Sequence, residues 1–334
     1  MPLMSQPPKE FPSNLPPLDE ADLKIIELLC EDGRMSGRDI AQRSALSEAN
    51  VSRRLARLVE EGSLRILAMV PAQMLGLHTR CVLLVRCKGD AATTAERLGK
   101  LPNVHWCGST FGAFDIVIYA CVRDNQRLID LVDTVCGDDR NVEEVVICPV
   151  LDYYTPKPHT EKTAVSTTSR RVEGVRQPDL DQVDRALIYA LQANGRASFA
   201  ELAEASGISA TSAADRFRRL QADGVVSIIT LPSPARIGNL VRATACLRTR
   251  GSIRSVLERA ASLPGTLWPC ACGGPYGVIV DFACPSEQAM NEMRAKLIAI
   301  PGVSQVDLSL HRRIWRDDLQ WGFEDGPPQP VHRG

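Results

Sequence analysis

Residues 18–64 read LDEADLKIIELLCEDGRMSGRDIAQRSALSEANVSRRLARLVEEGSL, and residues 180–226 read LDQVDRALIYALQANGRASFAELAEASGISATSAADRFRRLQADGVV. The two segments align without a gap, and about one position in three is identical, as expected for an internal duplication. The same displacement pairs Trp106 with Trp268 further along the chain. The chain is therefore a tandem repeat of two large halves.

Each segment predicts three short helices with a tight turn between the second and the third. In half one, Gly33 ends the first helix, Ser36 opens the second, and Ser47 is the N-cap of a third helix over about 48–60, which ends at Gly62. The corresponding positions of half two are Gly195, Ser198, Ser209 and Gly224. This arrangement is typical of a helix-turn-helix unit.

The hydrophobic pattern changes after each helix-turn-helix unit. Half one continues with a strand over 78–89, a helix, two strands over 104–122 with a turn at Gly112, a helix and a final strand. Half two repeats this order. The order β-α-β-β-α-β is ferredoxin-like. We therefore predict an α+β fold in which two winged-helix (helix-turn-helix) domains alternate with two ferredoxin-like βαββαβ domains.

Composition shifts set the predicted domain boundaries, because the Pro-rich ends and a polar central stretch show no apolar period. The predicted segments are a tail over 1–17, a helix-turn-helix domain over 18–70, a ferredoxin-like domain over 71–154, a linker over 155–178, a helix-turn-helix domain over 179–232, a ferredoxin-like domain over 233–323 and a tail over 324–334.

Composition also excludes several classes of protein. The chain has 334 residues, of which 44% are hydrophobic and 24% charged, so it is not wholly disordered. Its formal net charge of −1 argues against a polycation, so any nucleic-acid binding requires a local basic patch. The sequence shows neither an apolar run of about 18 residues nor a secretory signal, which predicts a cytoplasmic protein without a membrane span.

The eleven cysteines lie mostly in apolar runs, and none are spaced C-x-x-C. This pattern favours free, buried thiols over a disulfide framework. Cys270 and Cys272 would place both thiols on one face of a strand, but His and Cys partners at ligand spacing are missing. We therefore expect no metal and no cofactor.

The third helix of each helix-turn-helix unit carries the side chains that could bind DNA. In half one, Asn50, Arg53, Arg54 and Arg57 lie beside the apolar stripe of that helix. The guanidinium fork of arginine can bind a phosphate or guanine with two hydrogen bonds, and asparagine can do the same for adenine. The predicted DNA contacts are Ser47, Asn50, Arg53, Arg54 and Arg57 in half one, and Ser212, Arg216, Arg218 and Arg219 in half two.

A charged helix face can also simply keep a helix soluble. The recurrence of Arg54 and Arg57 as Arg216 and Arg219 favours DNA contact over that simpler interpretation. The prediction is weaker for half two, because Asp215 replaces Arg53 and would repel phosphate.

Three stretches resemble the Lrp/AsnC (leucine-responsive, feast/famine) transcription regulators. They are LDEADLKIIELLCEDGR, LSEANVSRRLARLVEEG and VHWCGSTFGAFDIVIYACV, the last of which holds the family's Gly-x-aromatic-Asp motif at residues 112–115. The resemblance covers 18–152 and 180–315, whereas the usual family member has a single unit. The resemblance implies a one-component transcription regulator whose first domain binds DNA. Its second, RAM-type domain would form dimers and, as is frequent in the family, bind an amino acid.

The resemblance also implies where an effector would bind. Family effector sites lie near the Gly-x-aromatic-Asp turn, which assigns Gly112, Phe114 and Asp115 in half one, and Gly274 and Tyr276 in half two. Gly277 stands where half one has Asp115, so the second site lacks the carboxylate. Alternatively, Asp115 only caps its turn by accepting backbone N–H groups.

Several alternatives remain open at this stage. The two halves could pair within one chain, or each could pair with its twin in a second chain. Sirohaem decarboxylases resemble the same architecture, and we expect them to carry His- and Arg-rich central strands. Here His105 stands alone on such a strand and His311 is one of a few scattered histidines, so we assign no catalytic residues. A sensor with vestigial DNA-binding heads is the third possibility.

Overall fold

The first helix-turn-helix unit, head one, contains α1 (Glu20–Glu31), α2 (Gly37–Ser44) and α3 (Glu48–Glu60), followed by strand β1 (Leu64–Met69). The structure is a computed structural model that describes residues 16–137, 140–155, 160–161, 164–165, 170–171, 179–238 and 241–317. Asp19 caps α1 through a capping box with Asp22, and serines cap the other two helices. The apolar faces meet in a core around Ile25, Ile40 and Leu58.

The ferredoxin-like part of half one follows a short 3₁₀ helix at Ala72–Leu75. Its elements are β2 (Thr79–Cys87), α4 (Ala91–Gly99), β3 (Val104–Gly112), β4 (Ile116–Val122), α5 (Asn125–Gly137) and β5 (Val142–Thr155). Three two-residue strands come next, β6 (Thr160–Glu161), β7 (Ala164–Val165) and β8 (Arg170–Arg171). The predicted tail over 324–334 and most of the predicted tail and linker over 1–17 and 155–178 lie outside the described residues.

Half two repeats the same order. Head two contains α6 (Gln182–Ala193), α7 (Phe199–Ser206), α8 (Ala210–Ala222) and β9 (Ser227–Pro232), followed by a 3₁₀ helix at Pro234–Ile237. Its ferredoxin-like part contains β10 (Val241–Thr249), α9 (Ile253–Ala261), β11 (Thr266–Cys272), β12 (Val278–Cys284), α10 (Glu287–Ile298) and β13 (Val303–Asp317). The predicted α+β fold class is confirmed.

The two ferredoxin-like sheets close into one barrel. Hydrogen-bonded neighbours run in the order β11-β12-β10-β13-β3-β4-β2-β5, and β5 pairs back onto β11. The halves join at two antiparallel junctions, where Leu310 faces Phe111 and Cys270 faces Tyr153. The pairing of halves, which the sequence left open, therefore occurs within the chain.

Side chains alternate between the two faces of this barrel wall. On β2, Leu83 and Val85 pack outward under α4 and α5, whereas Val82 and Leu84 point into the barrel interior. Helices α9 and α10 cover the outer face of half two in the same way. None of the described helices has the length and apolar character needed to span a bilayer.

The two heads interlock through the strands that follow their third helices. β1 pairs antiparallel with β9 over six residues, with Leu64 opposite Pro232. Ala68 of β1 lies in the core of head two, and Ile228 of β9 packs against the core of head one. The sequence pattern did not predict this pairing, because each strand finds its partner in the other half of the chain.

Two equivalent arginines, one in each head, form reciprocal hydrogen bonds to the other head, an arrangement called the clasp below. Arg34 donates to the carbonyl oxygens of Gly195 and Ala197 at 2.7 and 2.8 Å. Arg196 donates to the carbonyl oxygens of Gly33 and Met35 at 2.8 and 2.9 Å. Each guanidinium thus satisfies two carbonyls of the other head, and the two heads form one unit.

We expect Arg34→Ala to lower the free energy of unfolding by about 2 kcal/mol, because it removes two charge-assisted hydrogen bonds and leaves two carbonyls without their donor. Urea denaturation monitored by circular dichroism measures this difference. Arg38→Ala is the matched control, since Arg38 is exposed on α2. Equal unfolding midpoints for the two variants would contradict the clasp.

Candidate functional site

The third helices α3 and α8 begin with the same cap. The Ser47 hydroxyl accepts the backbone N–H of Asn50 at 3.3 Å, and the Ser209 hydroxyl accepts that of Ser212 at 3.1 Å. The Ser47 hydroxyl, a predicted DNA contact, therefore also holds the start of its helix.

Arg54 and Arg57 tie α3 to a buried carboxylate on α1. Arg54 Nη1 donates to Asp22 Oδ1 at 2.8 Å and to Asp19 at the same distance, while Arg57 Nη2 donates to Asp22 Oδ2 at 2.6 Å. Asp22 is only 2% exposed, and these arginines supply the positive charge that its buried carboxylate needs, while Oδ2 also accepts the backbone N–H of Asp19 at 3.3 Å. Hydrogen bonds to Asp22 and then to Asp19 raise the pKa of Arg54 above its ordinary value.

Head two repeats this arrangement, an aspartate lock in which two arginines of the third helix bind one buried aspartate of the first helix. Arg216 Nη1 donates to Asp184 Oδ1 at 2.9 Å and to Asp181 Oδ2 at 2.6 Å, and Arg219 Nη2 lies 2.6 Å from both oxygens of Asp184. The recurrence of these arginines, on which the DNA prediction relied, therefore also has an intramolecular cause. The DNA contact of Arg54, Arg57, Arg216 and Arg219 stays a prediction.

The remaining predicted contacts differ between the heads. Arg53 is exposed on α3 and donates to Asn50 Oδ1 at 3.2 Å. Arg218 is exposed on α8 and forms an ion pair with Asp215 one turn earlier. Each helix thus presents an arginine to solvent, but in α8 a carboxylate accompanies it.

The Gly-x-aromatic-Asp turn of half one packs onto the strand of the other half. Gly112 has a φ of 136°, and a Cβ there would overlap the carbonyl oxygen of Leu308, so only glycine fits. Asp115 Oδ2 accepts the backbone N–H of Cys87 at 2.8 Å. This is the turn-capping geometry that sequence analysis held as the alternative to effector binding.

The aromatic residues assigned to the effector come together from both halves. The rings of Phe114 and Tyr276 lie 6.1 Å apart in an edge-to-face arrangement in the barrel interior. Both are buried, and Tyr276 Oη donates to Asp307 Oδ2 at 2.8 Å. Gly274 lies on a turn against the carbonyl oxygen of Ile147. Phe114 and Tyr276 thus form part of the core, and their effector role stays a prediction.

The barrel interior contains a buried polar cluster that the sequence pattern did not predict. Arg242 donates to Asp281 Oδ2 at 2.6 Å, and Thr244 Oγ1 lies 3.3 Å from Asp281 Oδ1 and 2.8 Å from His311 Nε2. Burial raises the pKa of Asp281, although Arg242 opposes that shift. Burial and then Arg242 hold the pKa of His311 well below its ordinary value, so the imidazole is neutral. The signal for this cluster was a single Asp in the apolar strand VIVDFAC (278–284).

Three polar atoms near this cluster have no hydrogen-bond partner within the described part of the chain. They are Trp106 Nε1, Tyr119 Oη and His311 Nδ1. The Trp106 ring lies 5.6 Å from that of Tyr119 and 4.8 Å from that of His311, so the three groups are neighbours. Buried polar atoms of this kind are usually satisfied by water or a bound molecule.

The buried cluster is connected to head one by an ion-pair chain. Arg242 Nη1 lies 3.6 Å from Asp317 Oδ2, and Arg65 Nη2 lies 3.5 Å from the same oxygen. Arg65, on β1, also donates to the carbonyl oxygen of Asp317 at 2.8 Å. Burial acts against ionisation of Asp317, but Arg65 and Arg242 lower its pKa below the ordinary value. One carboxylate therefore joins the barrel interior to the strand that follows α3.

The cysteines are free thiols, as the sequence predicts. Most are buried, and burial raises the pKa of Cys81 to about 12. Cys270 and Cys272 do share a face of β11, with their Sγ atoms 3.6 Å apart. High pKa values make such thiols poor nucleophiles.

Comparison with known families matches both repeats of this chain. A winged helix-turn-helix DNA-binding model matches residues 18–64, an AsnC-type helix-turn-helix model matches 180–221, and an Lrp/AsnC ligand-binding-domain model matches 80–160. The transcriptional regulator FL11 of Pyrococcus furiosus is 31% identical over 128 residues, which are 84% of that protein. The chain belongs to the Lrp/AsnC family of transcription regulators.

Further relatives match this Lrp/AsnC protein one unit at a time. The match to FL11 covers 38% of this chain. The proline dehydrogenase transcriptional activator of Rhizobium radiobacter is 36% identical over 115 residues, which are 33% of this chain and 74% of the activator. Both alignments have the size of a single repeat, in agreement with the internal duplication.

A solved structure matches the complete two-unit fold. The siroheme decarboxylase NirDL, in co-complex with an iron-uroporphyrin III analogue, superposes with a TM-score of 0.65 over 92% of this chain and 95% of that chain. The sequence identity is 14%, so the similarity concerns the fold.

The aspartate locks generate a stability prediction. We expect Asp22→Asn and Asp184→Asn each to lower the free energy of unfolding by about 2–3 kcal/mol, because each leaves two arginines without their shared carboxylate. Chemical denaturation measures both variants. Asp223→Asn is the control, since Asp223 is exposed at the end of α8. An Asp22→Asn variant as stable as this control would refute the lock.

Proposed function

We propose that this chain is a sequence-specific DNA-binding transcription regulator that responds to a small effector, with an amino acid as the expected class. The observation that carries the proposal is the pair of Lrp/AsnC-type heads, each with an arginine exposed on its third helix and both joined into one unit. Its named relatives are transcriptional regulators.

The exposed arginines fit the chemistry of a DNA groove. Arg53 and Arg218 present guanidinium groups that can bind a phosphate or the O6/N7 edge of guanine. Arg54 and Arg57 fix the orientation of α3 on α1, so we assign them a positioning role in head one in addition to any phosphate contact. A rigidly held reading helix loses less entropy when it enters the groove.

The ion-pair chain supports regulation of head one by the barrel. A molecule bound near Arg242 or His311 would act on a cluster that Asp317 joins to Arg65 of β1. A ligand shifts a conformational equilibrium only if it interacts differently with the two states. The partly buried carboxylate of Asp317, shared by Arg65 and Arg242, allows such a difference. Association of whole chains through the ferredoxin-like domains stays a prediction.

A decarboxylase-like enzyme is the second candidate. Two observations favour it, namely His311 and Arg242, which both contact Asp281 inside the barrel, and the whole-chain fold similarity to NirDL. The rings of Trp106, Tyr119 and His311 pack within 4.8–5.6 Å beside that pair, so a tetrapyrrole would require them to move apart. Visible absorbance of the protein mixed with an iron-uroporphyrin tests this alternative, because binding would shift the absorbance bands.

Fluorescence anisotropy with the upstream DNA of the protein's own gene tests DNA binding, with a scrambled duplex as the reference. We expect tighter binding to the specific duplex and a dependence on salt from phosphate contacts. Arg53→Ala should weaken specific binding by about 1–3 kcal/mol without lowering the unfolding midpoint. Arg294→Ala, an exposed arginine on α10, is the charge-matched control. Absence of binding to any duplex at low salt would reject the proposal.

The effector part of the proposal has its own test. We expect one of the twenty L-amino acids, added singly to the anisotropy assay, to change the DNA affinity of the wild-type protein. Asp317→Asn should leave DNA affinity without amino acid within about twofold and reduce the response at least severalfold, because it weakens the connection between the barrel and β1. No response to any amino acid would reject this effector class, and an unchanged response in the variant would reject the route.

A further inference from the structure

The geometry of the two heads is fixed within a single chain. The β1–β9 pairing, the reciprocal clasp of Arg34 and Arg196 and the exchanged core residues all join head one to head two. Glycine is required at position 195, where a Cβ would lie 2.9 Å from the backbone of Leu67. One chain therefore presents two third helices in a set relative orientation, as a helix-turn-helix dimer does with two chains.

The residues that hold these helices in place are the same in both heads, but the residues between them are not. The buried lock is shared, with Asp22, Arg54 and Arg57 in head one and Asp184, Arg216 and Arg219 in head two. Over the first nine residues of the two helices, six positions outside the apolar stripe differ, namely Glu48/Ala210, Ala49/Thr211, Asn50/Ser212, Ser52/Ala214, Arg53/Asp215 and Ala56/Arg218. The two heads thus share the buried aspartate–arginine contacts, and most of the six differing positions are exposed.

The charges are arranged differently on the two helices, with a reversal at Arg53/Asp215 and an added arginine at Ala56/Arg218. Arg53 of α3 is exposed and donates to the neutral Asn50, and it forms no ion pair within the described ranges of the chain. Its equivalent in α8 is Asp215, also exposed, which pairs with Arg218. An arginine favours guanine and an asparagine favours adenine, whereas an aspartate accepts a hydrogen bond from the N4 amino group of cytosine and repels phosphate.

We propose that one chain reads an asymmetric operator composed of two unlike half-sites at a fixed spacing. Head one takes a half-site in which Asn50 binds adenine and Arg53 binds guanine. Head two takes a different half-site, in which Asp215 faces a cytosine amino group. This proposal rests on the proposed DNA-binding function and adds the form of its target.

Selection from a random duplex library, followed by sequencing, tests the proposal with three proteins. They are the wild type, the single variant Asp215→Arg, and a variant in which α8 receives the six residues of α3 (A210E, T211A, S212N, A214S, D215R and R218A). We expect a non-palindromic motif for the wild type and a palindrome of the head-one half-site for the six-residue variant. Thermal unfolding checks that each protein is folded.

The single variant Asp215→Arg provides the test if the six-residue variant does not fold. Asp215 is exposed, so we expect this substitution to leave the fold intact. On a duplex with two head-one half-sites, Asp215→Arg should bind about tenfold more tightly than the wild type, in the range of one added base contact. Arg294→Ala should bind that duplex as the wild type does.

The outcomes distinguish a failure of the asymmetric operator from a failure of the proposed DNA-binding function. A palindromic wild-type motif would overturn the asymmetric operator while leaving DNA-binding function intact. Enrichment of no sequence at all would overturn the proposed function and this inference with it. A non-palindromic motif that becomes palindromic in the six-residue variant supports both.

Discussion

Strand β13 forms hydrogen bonds with β10 of its own half along one edge and with β3 of the other half along its second edge. The equivalent strand β5 does the same with β2 and β11. These two junctions leave the eight strands from β2–β5 and β10–β13 without an open edge, which removes the surface on which strands of other molecules add. The junctions also enclose the barrel interior, and the two heads pair with each other through β1 and β9.

Covalent pairing removes the symmetry that a homodimer must have. In a homodimer every interior position occurs twice, whereas here each half can carry different residues. The barrel uses this freedom, because Asp281 and His311 occupy positions held in half one by Tyr119 and Pro149. A buried ion pair therefore forms once, and the connection from Asp317 to Arg65 reaches only one head. The third helices use the same freedom in the reversal from Arg53 to Asp215.

Local signals made much of the fold predictable. Capping serines, terminal glycines and apolar periods predicted the three helices of each head, and α3 spans Glu48–Glu60 as expected. Long-range partners were not predictable, because a strand pattern does not say which strand it will join. The β1–β9 pairing and the barrel junctions belong to this class. The carboxylate partners of Arg54 and Arg57 were missed for the same reason, since 32 and 35 positions separate them from Asp22.

We infer that one chain supplies both reading heads to one DNA site. A structure of the protein bound to a specific duplex, by crystallography or electron cryomicroscopy, tests it most directly. We expect α3 and α8 of the same chain in neighbouring major-groove segments on one face of the duplex, about one helical turn apart. A duplex whose two half-sites are occupied by heads of two different chains would contradict it.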